Sequence, residues 1–307
     1  MNFDIIIPSR WSIWKLKNII ESISIQNQLP EKVHIIIDKF IWKDEYNVMM
    51  YFLLKNIDEE KKQLFNIVSN INSQLNPWQW VSYIRNFWIQ ISKSDYIYII
   101  DDDNIFENDF LKNTINSYKK FEEKFWEEIF LSPSIIYRKT DKIQSLGFKK
   151  ISSLTGKLKS CKWRWAYNIA KIIWGNSIFW KKSDFKQIKF DEYFEFVYED
   201  IDFSWRASNK WYKIIVDRNL KINHMEWNKT KTEVSFIWNP KTAYQKARNR
   251  IILFKNNWNF FQKVIFLTIW VSIQTVWFFL LILIYWKEEK IRTIKAILAW
   301  TYDWLRY

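Results

Sequence analysis

The chain has 307 residues, 49% of them hydrophobic, and a formal charge of +14, enough material for one large domain or two small ones with a sizeable core. A single cysteine, Cys161, excludes an internal disulfide framework and fits a reducing compartment and a structural thiol. The basic excess points to an anionic partner: nucleic acid, anionic lipid or a phosphorylated substrate.

The chain enters a strand at once, Phe3 to Pro8, with no signal-peptide layout of basic, apolar and small-residue regions. Ser9 to Trp14 reads as a loop. Leu16, Ile19, Ile20 and Ile23 then recur at helical spacing within Lys15 to Gln26, and Lys32 to Ile37 is a second strand ending at Asp38. Strand, helix and strand in this order predict a βαβ unit, hence parallel pairing with a right-handed crossover. Asp38 at a strand end suits a ribose or base, or is simply solvated.

Lys43 to Lys61 is expected to be helical, Leu64 to Val68 a third strand, and Ser82 to Ile91 a helix carrying Arg85 and Asn86. Tyr96 to Ile100 is a continuous β-branched and aromatic run, the pattern of a strand buried on both faces. It ends in Asp101, Asp102 and Asp103. Three adjacent carboxylates repel one another unless cations or hydrogen bonds compensate, and strand ends of open α/β sheets are where ligands bind. A hard divalent cation, Mg2+ or Mn2+, with substrate phosphate completing its shell, suits such a turn. The alternative is that one acid caps the helix beginning near Phe106.

Asn108 to Phe125 is predicted as helix and Ile129 to Tyr137 as strand. Lys142 to Trp165 reads as a loop or small hairpin over the site, and Ile172 to Trp180 as a strand around a Gly turn. Glu199-Asp200-Ile201-Asp202 opens a helix running to Ser208. Acids favour a helix start for electrostatic reasons, and a carboxylate there can also serve as general base. Lys213 to Val216 and Leu220 to Asn223 are strands, the second followed by His224, which is either structural or a metal or phosphate ligand.

The ordered elements Ile5-Ile6-Ile7-Pro8, Asp38, Arg85-Asn86, Ile100-Asp101-Asp102-Asp103-Asn104, Gly175-Asn176-Ser177, Glu199-Asp200-Ile201-Asp202 with Arg206, and His224 resemble the family-2 glycosyltransferases of rhamnosyltransferase-like kind. Arg248-Asn249-Arg250 and Ala296 to Leu305 resemble that family's C-terminal helices, so the likeness runs through nearly the whole chain. Lys39-Phe40 departs from the small polar residues usual after the strand-end Asp.

The resemblance implies the glycosyltransferase-A fold, an α/β architecture with a Rossmann-like, mostly parallel sheet flanked by helices. It also implies transfer of a sugar, with inversion, from a nucleotide-sugar donor to a lipid-linked or polysaccharide acceptor in cell-envelope polysaccharide synthesis. By the same resemblance Asp101 and Asp103, with His224, hold a divalent metal (Mn2+ or Mg2+). Pro8, Ser9, Arg10, Asp38, Arg85, Asp101 and Asp102 bind the nucleotide sugar, Asp200 is the base, and Asn176, Glu199 and Arg206 lie on the acceptor or phosphate side.

Val264 to Trp286 carries no charge for 23 positions, longer than the roughly 18 residues that flag a membrane segment. The expected organisation is a catalytic domain over 1–260 and a membrane-associated helical tail over 261–307. The tail would hold the protein on the anionic cytoplasmic face of the cell membrane. A basic membrane-bound scaffold or nucleic-acid binder accounts for the charge but not for acids gathered at strand and helix ends. The metal-dependent nucleotidyl- or phosphotransferases are the rival among enzymes, and nucleic acid is not an expected partner.

The chain has 21 Trp and only 3 Gly, where average usage would give roughly 21 Gly. The expectation is that UGA codons read as glycine in the source stand here as tryptophan. The positions are Trp11, Trp14, Trp78, Trp80, Trp88, Trp174, Trp180, Trp211, Trp258, Trp300 and Trp304, several of them where turn chemistry asks for Gly.

Overall fold

A computed structural model describes residues 1–9, 12–38, 43–69, 80–138, 140, 142–152, 157–162, 165–194, 197–225 and 240–265, with isolated positions from 268 to 299. The βαβ unit is β1 (Phe3–Ser9), α1 (Ile13–Ser24) and β2 (Lys32–Ile37). All seven residues of β1 are buried, and Leu16, Ile19, Ile20 and Ile23 of α1 pack beneath them. The predicted single helix over 43–61 is two, α2 (Lys43–Leu54) and α3 (Glu59–Lys62), followed by β3 (Phe65–Ser69).

The helix α4 (Trp80–Ile91) feeds β4 (Tyr96–Ile100), buried from Ile97 onward. After β5 (Asn104–Ile105) come α5 (Phe110–Phe125) and β6 (Ile129–Tyr137). The predicted loop or hairpin resolves into β7 (Ile143–Ser145) and a two-stranded sheet of β8 (Phe148–Ile151) and β9 (Leu158–Ser160). Next are β10 (Tyr167–Ala170), β11 (Ser177–Lys181), α6 (Glu199–Asn209), β12 (Lys213–His224), α7 (Pro240–Asn257) and α8 (Phe260–Ile265). The two strands expected after α6 are one, with an irregularity between Asp217 and Lys221.

The main sheet has the order β10-β12-β6-β11-β4-β1-β2-β3, with β5 beside β12 and β7 beside β6. Pairing is parallel among β3, β2, β1 and β4 and between β6 and β12. It is antiparallel where β11 lies between β4 and β6. The sheet is therefore mixed rather than mostly parallel. No helix intervenes between β6 and β11 among the described residues, so the chain comes back without the crossover that parallel pairing requires.

The register brings Ser9 opposite Ile37 and Ile6 opposite Ile99. The carboxyl ends of β1, β2 and β4 thus share one edge, where Asp38 N–H donates to the Ser9 carbonyl at 2.8 Å.

The chain divides into two compact units. One comprises 1–149, 160–195 and 199–226; the other comprises 150–159, 196–198 and 227–307. In the second, Trp258 stacks on Phe254 at 4.0 Å and the buried Asn249 amide donates to the Val197 carbonyl. Among the described residues no helix is long and apolar enough to cross a membrane. Most of the charge-free run 264–286 lies outside them.

At the opposite end of β1 from the acid turn, Asp4 is buried. It accepts from Ser92 Oγ at 2.6 Å and Ser94 Oγ at 2.9 Å, with His34 Nε2 at 3.5 Å. Burial alone would raise its carboxyl, but these partners outweigh it and hold it below the usual carboxylate range. A folded-state value below the unfolded one contributes stability above the unfolded pKa, about 3.9, and loses it as pH falls through the folded value. Asp4→Ala should therefore cost about 2–4 kcal/mol in urea unfolding at pH 7. The gap from wild type should narrow below about pH 4; an unchanged gap would remove Asp4 from this role.

Candidate active site

The turn after β4 is built by backbone capture. Asp101 N–H donates to the Asn176 carbonyl at 3.0 Å and Met225 N–H donates to the Asp103 carbonyl at 2.8 Å. The Asn104 side chain, fully buried, donates to the carbonyls of Asp101 and Asn176 at 3.1 and 3.0 Å, and Asn176 returns a bond to Asn104 Oδ1 at 3.2 Å. The three carboxylates are thereby held in one place whatever their mutual repulsion.

Each acid has its own compensation. Asp101 Oδ1 lies 3.2 Å from Nη2 of the buried Arg85, whose Nη1 lies 3.3 Å from Glu199 Oε1. Asp102 accepts from Ser9 Oγ at 2.5 Å. Asp103 takes Lys15 Nζ at 3.0 Å on Oδ2 and faces His224 Nε2 at 3.2 Å on Oδ1. Burial raises the Asp101 carboxyl to about 7 against the pull of Arg85, and the neighbouring acids add to the rise. For Asp103 burial is outweighed by His224 and Lys15, which hold it at about 2.

Whether a divalent cation suits the turn is decided by His224. Its Nδ1 lies 2.8 Å from Gln144 Oε1, and this contact orients the ring with Nε2 toward Asp103. Nε2 lies 3.2 Å from Asp103 Oδ1, a buried carboxylate oxygen. An unprotonated Nε2 there repels Asp103; a protonated one, or a cation held between the two, does not. Imidazole nitrogen with carboxylate oxygen, oriented by a second-shell carbonyl, is a donor set that Mn2+ accepts. Asp103 and His224 fit the ion, whereas Asp101 is turned to Arg85. Among the described residues no three such ligands converge, so phosphate or water would have to complete the shell.

On the other side of Arg85, Asp200 sits in the first turn of α6. Its Oδ2 accepts from Gly175 N–H and its Oδ1 from Ile201 N–H, both at 2.7 Å. A Cβ at Gly175 would lie 2.5 Å from Asp200 Cβ, so this approach needs glycine. Burial raises the Asp200 carboxyl above its ordinary range despite these bonds and Arg85. Glu199 is pushed up to about 7, by burial and then by Asp200.

Pro8, Ser9 and Asp38 stand at the strand edge beside the acid turn, and Arg10 lies outside the described residues. Arg206 is directed elsewhere, to the buried Asp202 at 2.6 Å and the Lys189 carbonyl. Asn86 has a structural task, exchanging bonds with the backbone of Phe190. Lys15, Asn104 and Gln144 were not legible as site residues. Their roles come from pairings 72 to 88 positions apart, or across a strand pair, that no local pattern encodes.

No protein-family model and no curated relative matches the sequence. Among solved structures the fold is similar to S. aureus TarS 1-349, at TM-score 0.51 and 15% identity, over 100% of this chain and 73% of that one. In complex with UDP-GlcNAc that protein matches at TM-score 0.58 and 15% identity, over 98% of this chain and 80% of that one. GalNAc-T7 with UDP, GalNAc and Mn2+ matches at TM-score 0.60 and 11% identity, over 83% of this chain but only 48% of its own. At such identities the likeness is one of fold.

If Gln144 orients His224 toward a cation, Gln144→Leu should weaken Mn2+ binding by about 10- to 100-fold while leaving the fold intact. Titration calorimetry checks this, and wild-type affinity in the variant would detach Gln144 from the metal.

Proposed function

We propose that the protein is a metal-dependent, inverting glycosyltransferase of family-2 type that moves a sugar from a nucleotide-sugar donor to a glycan or lipid-linked acceptor hydroxyl. The observation that carries this reading is the pairing of two carboxylate sites through one buried arginine: Asp101 on the acid turn and Glu199, next to Asp200, on α6. A diphosphate leaving group needs cationic compensation, and an acceptor hydroxyl needs a base. The two sites supply these separately. The fold shared with proteins solved with UDP-GlcNAc, or with UDP and Mn2+, supports a nucleotide-sugar donor and a divalent ion.

In this reading the nucleotide lies across Ser9 and Asp38, with its diphosphate at the acid turn. A cation on Asp103 and His224 would neutralise the charge developing on the leaving diphosphate. Asp200, whose two oxygens are aimed by Gly175 and Ile201, takes the proton from the acceptor hydroxyl as it attacks. Its raised pKa moves it toward the value a base needs near neutral pH. Arg85 fixes the distance between the two halves. The net charge of +14 and the charge-free run 264–286 support attachment to the cytoplasmic face of an anionic membrane in envelope polysaccharide synthesis.

A panel of sugar nucleotides assayed for Mn2+-dependent binding and hydrolysis tests this. Asp103→Asn should lose metal-dependent donor binding and turnover. Asp200→Asn should keep donor affinity near wild type and lose about 100- to 10,000-fold in transfer. Full activity of Asp103→Asn in excess chelator would refute the assignment.

We also propose that glycine stands in the natural protein at Trp126 and Trp211. Both adopt left-handed backbone, φ 52° and 75°, at helix ends, with exposed rings. That conformation costs a side chain about 1–2 kcal/mol. Trp126 is an addition to the positions suspected from the sequence. Trp180, by contrast, is removed from that set: it is fully buried against Phe130 and Phe203, where glycine would leave a cavity. Trp11, Trp78, Trp300 and Trp304 lie outside the described residues. Trp211→Gly should stabilise the protein by about 1 kcal/mol. Peptide mass spectrometry of material from the natural source should read glycine at 126 and 211, and tryptophan at both would end the idea.

A further inference from the structure

The acid turn carries one cation that the proposed reaction has not used. Lys15, in the first turn of α1, reaches 3.0 Å from Asp103 Oδ2 and 3.8 Å from Asp102 Oδ1. Burial works to lower its ammonium, but the carboxylates of Asp103 and Asp102 outweigh that and raise it. Asp103 is thus divided, with one oxygen on Lys15 and the other toward His224. We propose that Lys15 is an internal counter-ion that makes metal and nucleoside diphosphate bind cooperatively. It holds Asp102 and Asp103 in the donor-free protein and moves to the diphosphate when a metal ion takes Asp103. The proposal rests on the reading of this turn as a nucleoside-diphosphate site.

A divalent ion on Asp103 and His224 comes close to an ammonium already seated on the same carboxylate, so the ion alone is opposed by like charge. A diphosphate brings negative charge and gives Lys15 a new partner. A lysine suits that exchange, since it is a point charge on a flexible four-carbon stem. Asp102 keeps the Ser9 hydroxyl when Lys15 leaves. Arg85 cannot take this part, because both of its terminal nitrogens are engaged, on Asp101 and Glu199. If each ligand relieves what opposes the other, each raises the other's affinity by the same factor.

The test is titration calorimetry of Mn2+ into full-length protein, without nucleotide and with the tightest-binding of UDP, GDP and dTDP. Wild type, Lys15→Met and Lys15→Arg are compared. In wild type the nucleotide should tighten Mn2+ binding about tenfold or more, inside the ordinary range of coupling. Lys15→Met should bind Mn2+ alone about tenfold more tightly, and the tightening by nucleotide should shrink by about the same factor. Lys15→Arg, keeping the charge, should behave as wild type, and Lys15→Gln replaces the Met variant if that one does not fold. Mn2+ affinity in Lys15→Met equal to or weaker than wild type, or undiminished coupling, overturns the proposal and leaves the nucleotide site standing. Wild-type protein that binds neither Mn2+ nor any of the nucleotides overturns both.

Discussion

The constraint on which this architecture depends is the repulsion among Asp101, Asp102 and Asp103. Three carboxylates on consecutive residues are tolerated because side chains from four elements converge to compensate them. Ser9 comes from β1, Lys15 from α1, Arg85 from α4 and His224 from the end of β12, while Asn176 and Asn104 pin the backbone between. The pairing of β5 with β12, Asn104 opposite His224, delivers the imidazole. A structural role alone does not call for three acids at a strand end; their cost is explained if a ligand takes up part of the charge.

Arg85 is the second constraint. Buried and bound at both ends, it makes the acid turn and the start of α6 one electrostatic unit, stacked over Phe190 at 5.2 Å. Burial raises the Asp101 and Glu199 carboxyls, and Arg85 between them works against that rise on both.

Much of this was legible in the sequence where the signal is local. β2 and β4 have the predicted limits, because β-branched runs ended by polar residues leave little choice. The acid cluster, the Gly175-Asn176 turn and the acidic start of α6 were readable as chemistry, because each is contiguous. The antiparallel insertion of β11 was not: it follows from the absence of a crossover helix, and the residues before it carry weak periodicity. Lys15 was hidden for a different reason. A lysine on an amphipathic helix reads as solvated, and its partners lie 88 positions away. Arg206 misled in the opposite direction, since its place in the acidic helix concealed its bond to Asp202, one turn back.

The proposed nucleoside-diphosphate site lies at the shared carboxyl edge of β1, β2 and β4. Hydrogen–deuterium exchange of the protein with Mn2+, with and without a panel of nucleoside diphosphates, tests it most directly. Nucleotide bound there should slow exchange in peptides covering the end of β1 through Ser9, the end of β2 through Asp38, and residues 101–104. Protection confined to other regions, or none with any nucleotide, would contradict it.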